Sequence, residues 1–125
     1  MKIGLYLDTV SMHILNRGLF VSCEPVDNIE KFQPGLVDER LAEVGNYYLV
    51  CDMKKEIQGK AKLLDAFVTT FGDPDPIILK HMGFENNIAK FKSEYAGLFK
   101  TQFPEDSLMD ETELFVCIYE PIHDS

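Results

Sequence analysis

Four carboxylates, Asp8, Glu24, Asp52 and Glu120, stand near the ends of segments with strand character. Acids that meet at one edge of a sheet perturb one another's ionisation, which is the raw material of general acid–base chemistry. Charged residues at strand ends are also what any soluble sheet carries, so these four mark a candidate region and no more. Metal chemistry has less to build on. His13, His81 and His123 are scattered with no H-x-x-x-H pair, and the one histidine–carboxylate cluster, Glu120 with His123 and Asp124, lies in the final six residues. Such a pattern predicts no metal and no other cofactor. The eight glycines never form G-x-G-x-x-G or G-x-x-x-x-G-K, and no G-x-S-x-G elbow is present. The routes to phosphate cradling and to an activated serine are therefore absent, no catalytic residue is assigned, and an enzyme is disfavoured.

Three cysteines, Cys23, Cys51 and Cys117, include no C-x-x-C pair, and an odd number cannot all pair within one chain. Each falls in a strand-like segment where a thiol packs as a small apolar group. Reduced cysteines, no opening signal peptide and no apolar run long enough for a membrane span together predict a cytoplasmic protein without a membrane partner.

Charge is the most uneven property of the chain. Residues 104–125 carry seven carboxylates and no lysine or arginine, within a net charge of -9 for all 125 residues. The stretch Glu105, Asp106, Leu108, Met109, Asp110, Glu111 and Glu113 places two apolar side chains among five acids, an arrangement suited to docking a basic partner: charge steers the encounter and the apolar pair anchors it. The same acidity opposes direct nucleic-acid binding, although Lys54, Lys55, Lys60 and Lys62 cluster in the middle of the chain.

The elements that position these residues are those of one α+β domain spanning 1–125, with a sheet of about four strands and three later helices packed mainly on one face. Ile3, Leu5 and Leu7 alternate in a first strand, and Leu19, Val21 and Cys23 in a second that ends at Pro25. Residues 11–18 read as a short helix or wide turn, 27–32 as a helical turn, and Val37, Leu41 and Val44 recur at helical spacing before Gly45. Asn46–Asp52 and Leu114–Tyr119 are apolar on both faces, so both belong inside the sheet. Ile57, Ala61, Leu64, Val68 and Phe71 predict a long helix over 55–71, Asp75-Pro76 opens a short one, and Ile88, Phe91, Tyr95, Leu98 and Phe99 mark another that stops before Pro104.

The function these features predict is an acidic cytoplasmic inhibitor of a basic protein, such as a toxin or nuclease, in the manner of an immunity protein or a nucleic-acid mimic. The alternative is a small enzyme or ligand-binding domain whose polar site sits at the strand ends, using Asp8, Glu24 or His123. A third reading is a chaperone or homo-oligomeric subunit, a homodimer included, with Tyr47, Tyr48, Phe84 and Phe99 supplying apolar surface. A pocket with convergent polar groups favours the ligand-binding domain, and an unbroken acidic face favours the inhibitor.

Overall fold

Five segments, some alternating and two apolar on both faces, form strands, and backbone pairing joins them into one mixed sheet. The structure, a computed structural model, describes residues 2–104 and 108–122. In chain order the elements are β1 (Lys2–Tyr6), α1 (Thr9–Arg17), β2 (Phe20–Pro25), α2 (Val26–Phe32), α3 (Leu36–Ala42), β3 (Tyr47–Cys51), β4 (Ile57–Thr70), α4 (Pro76–His81), α5 (Ile88–Gln102) and β5 (Glu113–Ile122). The sheet order is β1-β3-β4-β5-β2. Only β1 and β3 run parallel; every other neighbouring pair is antiparallel. The sheet curls into a half-barrel. Its two edges, β1 and β2, are consecutive strands linked by α1.

Local chemistry sets the helix starts. The Asp8 carboxylate accepts from the Ser11 amide at 2.7 Å ahead of α1. Asp75 accepts from Ile77 at 3.0 Å with Pro76 in the first helical position of α4, and Asn87 accepts from Lys90 at 3.0 Å ahead of α5. Each cap satisfies an amide that the helix itself leaves without a partner.

The sheet carries a core on each face. Leu15, Ile29 and Val37 from α1, α2 and α3 pack with Tyr48, Leu63 and Tyr119 on one face. Ile78, Leu79 and Phe91 from α4 and α5 pack with Leu114, Val116 and Ile118 on the other. Successive residues of β5 therefore feed opposite cores, which is why the strand reads as apolar throughout. Val50, Cys51, Val116, Cys117 and Ile118 are all at most 3% exposed, as the two-sided pattern predicts.

One long element departs from the sequence expectation. Residues 57–70 form β4, not a helix, and the sheet has five strands rather than about four. The physical reason is a bulge. Leu63 faces Tyr119 and Asp65 faces Ile118, so Leu64 is an inserted residue without its own cross-strand partner. The insertion offsets the alternation by one residue, and the two offset halves together imitate a helical period. The five residues of the supposed stripe do not share a face: Ala61 joins one core and Phe71 the other. Lys54 and Lys55 lie in the β3–β4 turn, where the Asp52 carboxylate accepts from the amides of Lys54 and Glu56, both at 2.9 Å, and Lys55 adopts φ +68°. The two later helices that remain, α4 and α5, share one face, while α1, α2 and α3 cover the other.

Candidate ligand-binding cleft

Strand pairing assembles one wall of a cleft. The pairs Phe20 with Tyr119, Ser22 with Cys117 and Glu24 with Phe115 set six side chains on a single face of the β2–β5 ladder. Phe20 and Tyr119 stack with ring centroids 6.2 Å apart, and Tyr48 meets Tyr119 edge to face at 6.1 Å. Facing this wall are Leu5 and Tyr6 of β1, with Asp8 and Ser11 at the start of α1. Asn28, Ile29 and Phe32 of α2 and Arg40 of α3 close a further side, and Phe99 and Phe103 approach from the end of α5. The enclosed volume is about 680 Å³, inside the range of small-molecule sites. Two contacts brace it: the Tyr95 hydroxyl donates to the Cys23 carbonyl at 2.9 Å, and the Phe32 and Phe103 rings lie 6.5 Å apart.

Arg40 supplies the buried cation. Its guanidinium lies over the Tyr48 ring at 4.5 Å and 3.8 Å from the Glu43 carboxylate, and the Tyr48 hydroxyl donates to Glu43 in turn. Burial works against the charge, but Tyr119, Tyr48 and Cys117 outweigh it and leave Arg40 more firmly protonated than usual. Burial pushes the Cys117 thiol up to about 11 and the Tyr48 phenol up to about 12, and it raises Tyr119 as well. At neutral pH these groups are hydrogen-bonding neutral side chains, not nucleophiles.

Two carboxylates singled out from the sequence meet the cleft and are pushed in opposite directions. Asp8 is held below its ordinary value by the Ser11 hydrogen bonds, whereas burial against the wall raises Glu24. Asp52 does not join them: it organises the β3–β4 turn, and the Glu56 amide lowers its pKa. Glu120 is exposed on β5, and His123 and Asp124 lie outside the described residues. His13 is exposed on α1 and His81 half-buried at the end of α4. Among the described residues no group of three or more His, Cys, Asp or Glu side chains could hold a metal ion. Cys23, on the opposite face of β2 from Ser22, is pushed up to about 12, chiefly by burial.

Of the acidic stretch, Glu105 and Asp106 fall outside the described residues, and Leu108, Met109, Asp110, Glu111 and Glu113 do not line this cleft. Leu108 packs against the second core, so it is half-buried rather than displayed. Asp110 receives the Lys92 ammonium at 2.7 Å, and its carbonyl accepts from the Gly72 amide at 2.9 Å. Met109, Glu111 and Glu113 remain exposed. Of the four aromatics expected to extend the apolar surface, Tyr48 and Phe99 are core residues, Phe84 packs on the second core, and Tyr47 alone is exposed.

No family model matches the chain, and no curated sequence matches it. Solved structures do. Protein EF3133 from Enterococcus faecalis V583, of family DUF984, superposes with a TM-score of 0.61 at 12% identity, over 92% of this chain and 68% of that one. The ASCH domain from Lactobacillus crispatus JV V101 gives 0.62 at 13% identity, over 95% of this chain and 80% of that one. The chain is similar in fold to an ASCH domain. That likeness overturns the inhibitor expectation, in both its immunity-protein and nucleic-acid-mimic forms. The fold is that of an ASCH-like half-barrel, and its polar groups line a cleft. The error has a physical source, since net charge bears on solubility and encounter and does not specify a fold. No helix among the described residues is long and apolar enough to cross a membrane.

Proposed function

We propose that this ASCH-like domain recognises a nucleobase in the cleft between its sheet edges, presented by a free nucleoside. The observation that carries the reading is the wall chemistry. Two aromatic residues, Phe20 on β2 and Phe32 on α2, line the cleft together with Arg40, Asn28 and Glu24. Flat heteroaromatic rings stack on such faces, and their polar edges are read by amide, guanidinium and carboxyl groups. The ASCH fold is of a PUA-like, RNA-binding type, which supports a base as the recognised group.

Charge decides between a nucleoside and a strand. The one buried guanidinium is matched by Glu43, Asp8 and Glu24 add negative charge to the cleft, and the chain as a whole carries -9. A polyanion gains its affinity by displacing counterions from its phosphates, and this surface offers few cations for that exchange. A neutral nucleoside avoids the penalty.

The test is calorimetric titration with uridine, cytidine, adenosine and guanosine, beside a single-stranded RNA oligomer, across a salt series. One-site nucleoside binding that hardly responds to salt, and that Phe20→Ala weakens by roughly tenfold, is the expected result. No nucleoside binding at millimolar concentration sinks the reading. Oligomer binding with a steep salt slope, and none with nucleosides, replaces it with strand recognition.

A further inference from the structure

Within the cleft, one polar atom stands apart energetically. Asn28 lies on α2 and lines the cleft, and among the described residues its Nδ2 is the buried side-chain nitrogen or oxygen with no hydrogen-bond partner. Such a group loses its hydration without compensation, so a folded chain retains one only where something other than the protein pairs with it. The torsion that turns an asparagine amide is soft, so the donor of a residue that lines the cleft can turn to meet a bound group.

We propose that Asn28 is the specificity-determining residue of the cleft, its Nδ2 donating to a carbonyl oxygen of the bound base. This rests on the nucleobase reading above and deepens it. A carbonyl fits better than a ring nitrogen because its oxygen projects about 1.2 Å beyond the ring, toward a donor recessed in the wall, and its two lone pairs accept over a broad range of angles. The neighbouring chemistry agrees. The aromatic faces of Phe20 and Phe32 hold a ring without choosing among bases, and Arg40 is already engaged by Glu43 and Tyr48. Beside the Glu24 carboxyl, the amide is then the donor left to discriminate: bases carrying a carbonyl satisfy it, and adenine, which has none, leaves the donor unpaired at the cost that rejects a substrate lacking an expected polar group.

The experiment compares the full chain with Asn28→Leu and Asn28→Asp, titrating each with uridine and with adenosine and melting each without ligand. The wild type is expected to bind uridine more tightly than adenosine. Both substitutions remove the donor and are expected to weaken uridine binding by roughly tenfold, the worth of one neutral hydrogen bond, while adenosine affinity changes less than about twofold. Asn28→Leu is expected to melt no lower than the wild type, because it removes an unpaired polar atom. A fall in its melting temperature would show the amide to be held within the protein and overturns the proposal. Equal losses for uridine and adenosine overturn it too, since the amide then shapes the cleft without reading the base. If the wild type binds uridine and both variants bind it equally well, the role of Asn28 alone falls. Failure of the wild type to bind either nucleoside removes the nucleobase reading and this proposal together.

Discussion

Asp8 and Glu24 show how one residue type acquires two characters on opposite sides of a cleft. A donated amide stabilises the Asp8 anion, and partial desolvation disfavours that of Glu24 although the residue stays exposed at the end of β2. Because folding raises the Glu24 pKa, between the unfolded and native values the native state keeps a proton that the unfolded chain has released, and above both the carboxyl is charged. Its contribution to stability is present in full below the unfolded value, near 4.3, and is lost as pH rises through the native value. Glu24→Gln, which cannot ionise, is therefore expected to melt above the wild type at neutral pH, with the gap closing as acid is added. Melting curves from pH 4 to pH 8 check this, and a gap that is constant across the series contradicts a raised carboxyl. Both acids were legible in the sequence, because a charge at the end of an alternating segment sits where a sheet meets its surroundings. Arg40, Tyr48 and Asn28 were not. They come from α3, β3 and α2, and nothing in their spacing announces that the fold brings an arginine over a tyrosine ring or leaves an amide without a partner.

Among the elements, β5 and the short helix α4 were readable for different reasons. Six consecutive buried residues, Leu114 to Tyr119, can only be a strand between two cores, and Asp75-Pro76 states a helix start in local chemistry. β4 was misread because pattern carries no record of a bulge: one inserted residue, Leu64, gives a period-2 sequence the look of a period of 3.6. The acidic segment before β5 was read as a docking arm, yet its described part is fastened to the body. A Cβ built at Gly72 would lie 2.5 Å from the Asp110 Cβ, with the Asp110 Cα at 2.9 Å. Gly72→Ala is accordingly expected to cost about 1–3 kcal/mol by forcing two backbones apart, measured by denaturant unfolding. An alanine variant as stable as the wild type would mean that the segment moves aside freely.

The whole molecule depends on β5 more than on any other strand. It pairs with β4 along one side and β2 along the other, and it supplies both cores. A chain cut before Leu114 is expected to lose cooperative unfolding altogether, followed by circular dichroism and heat capacity, because β2 is left without its pairing partner and each core without a wall. A truncated chain that still melts in one sharp transition would refute this architecture. At this scale the sequence was a poor guide to function. Charge asymmetry is a true property of the chain, but its described acids Asp110, Glu111 and Glu113 do not line the cleft.

The pairing of β2 with β5 also fixes when the cleft can exist. β2 is made before β5, with six elements between them, so Phe20 and Ser22 wait for Tyr119 and Cys117. Long-range closure of this kind slows folding, and until it happens β2 is an unpaired edge that other chains can capture. The wall of the cleft is thus gained at one stroke, when β5 joins β2.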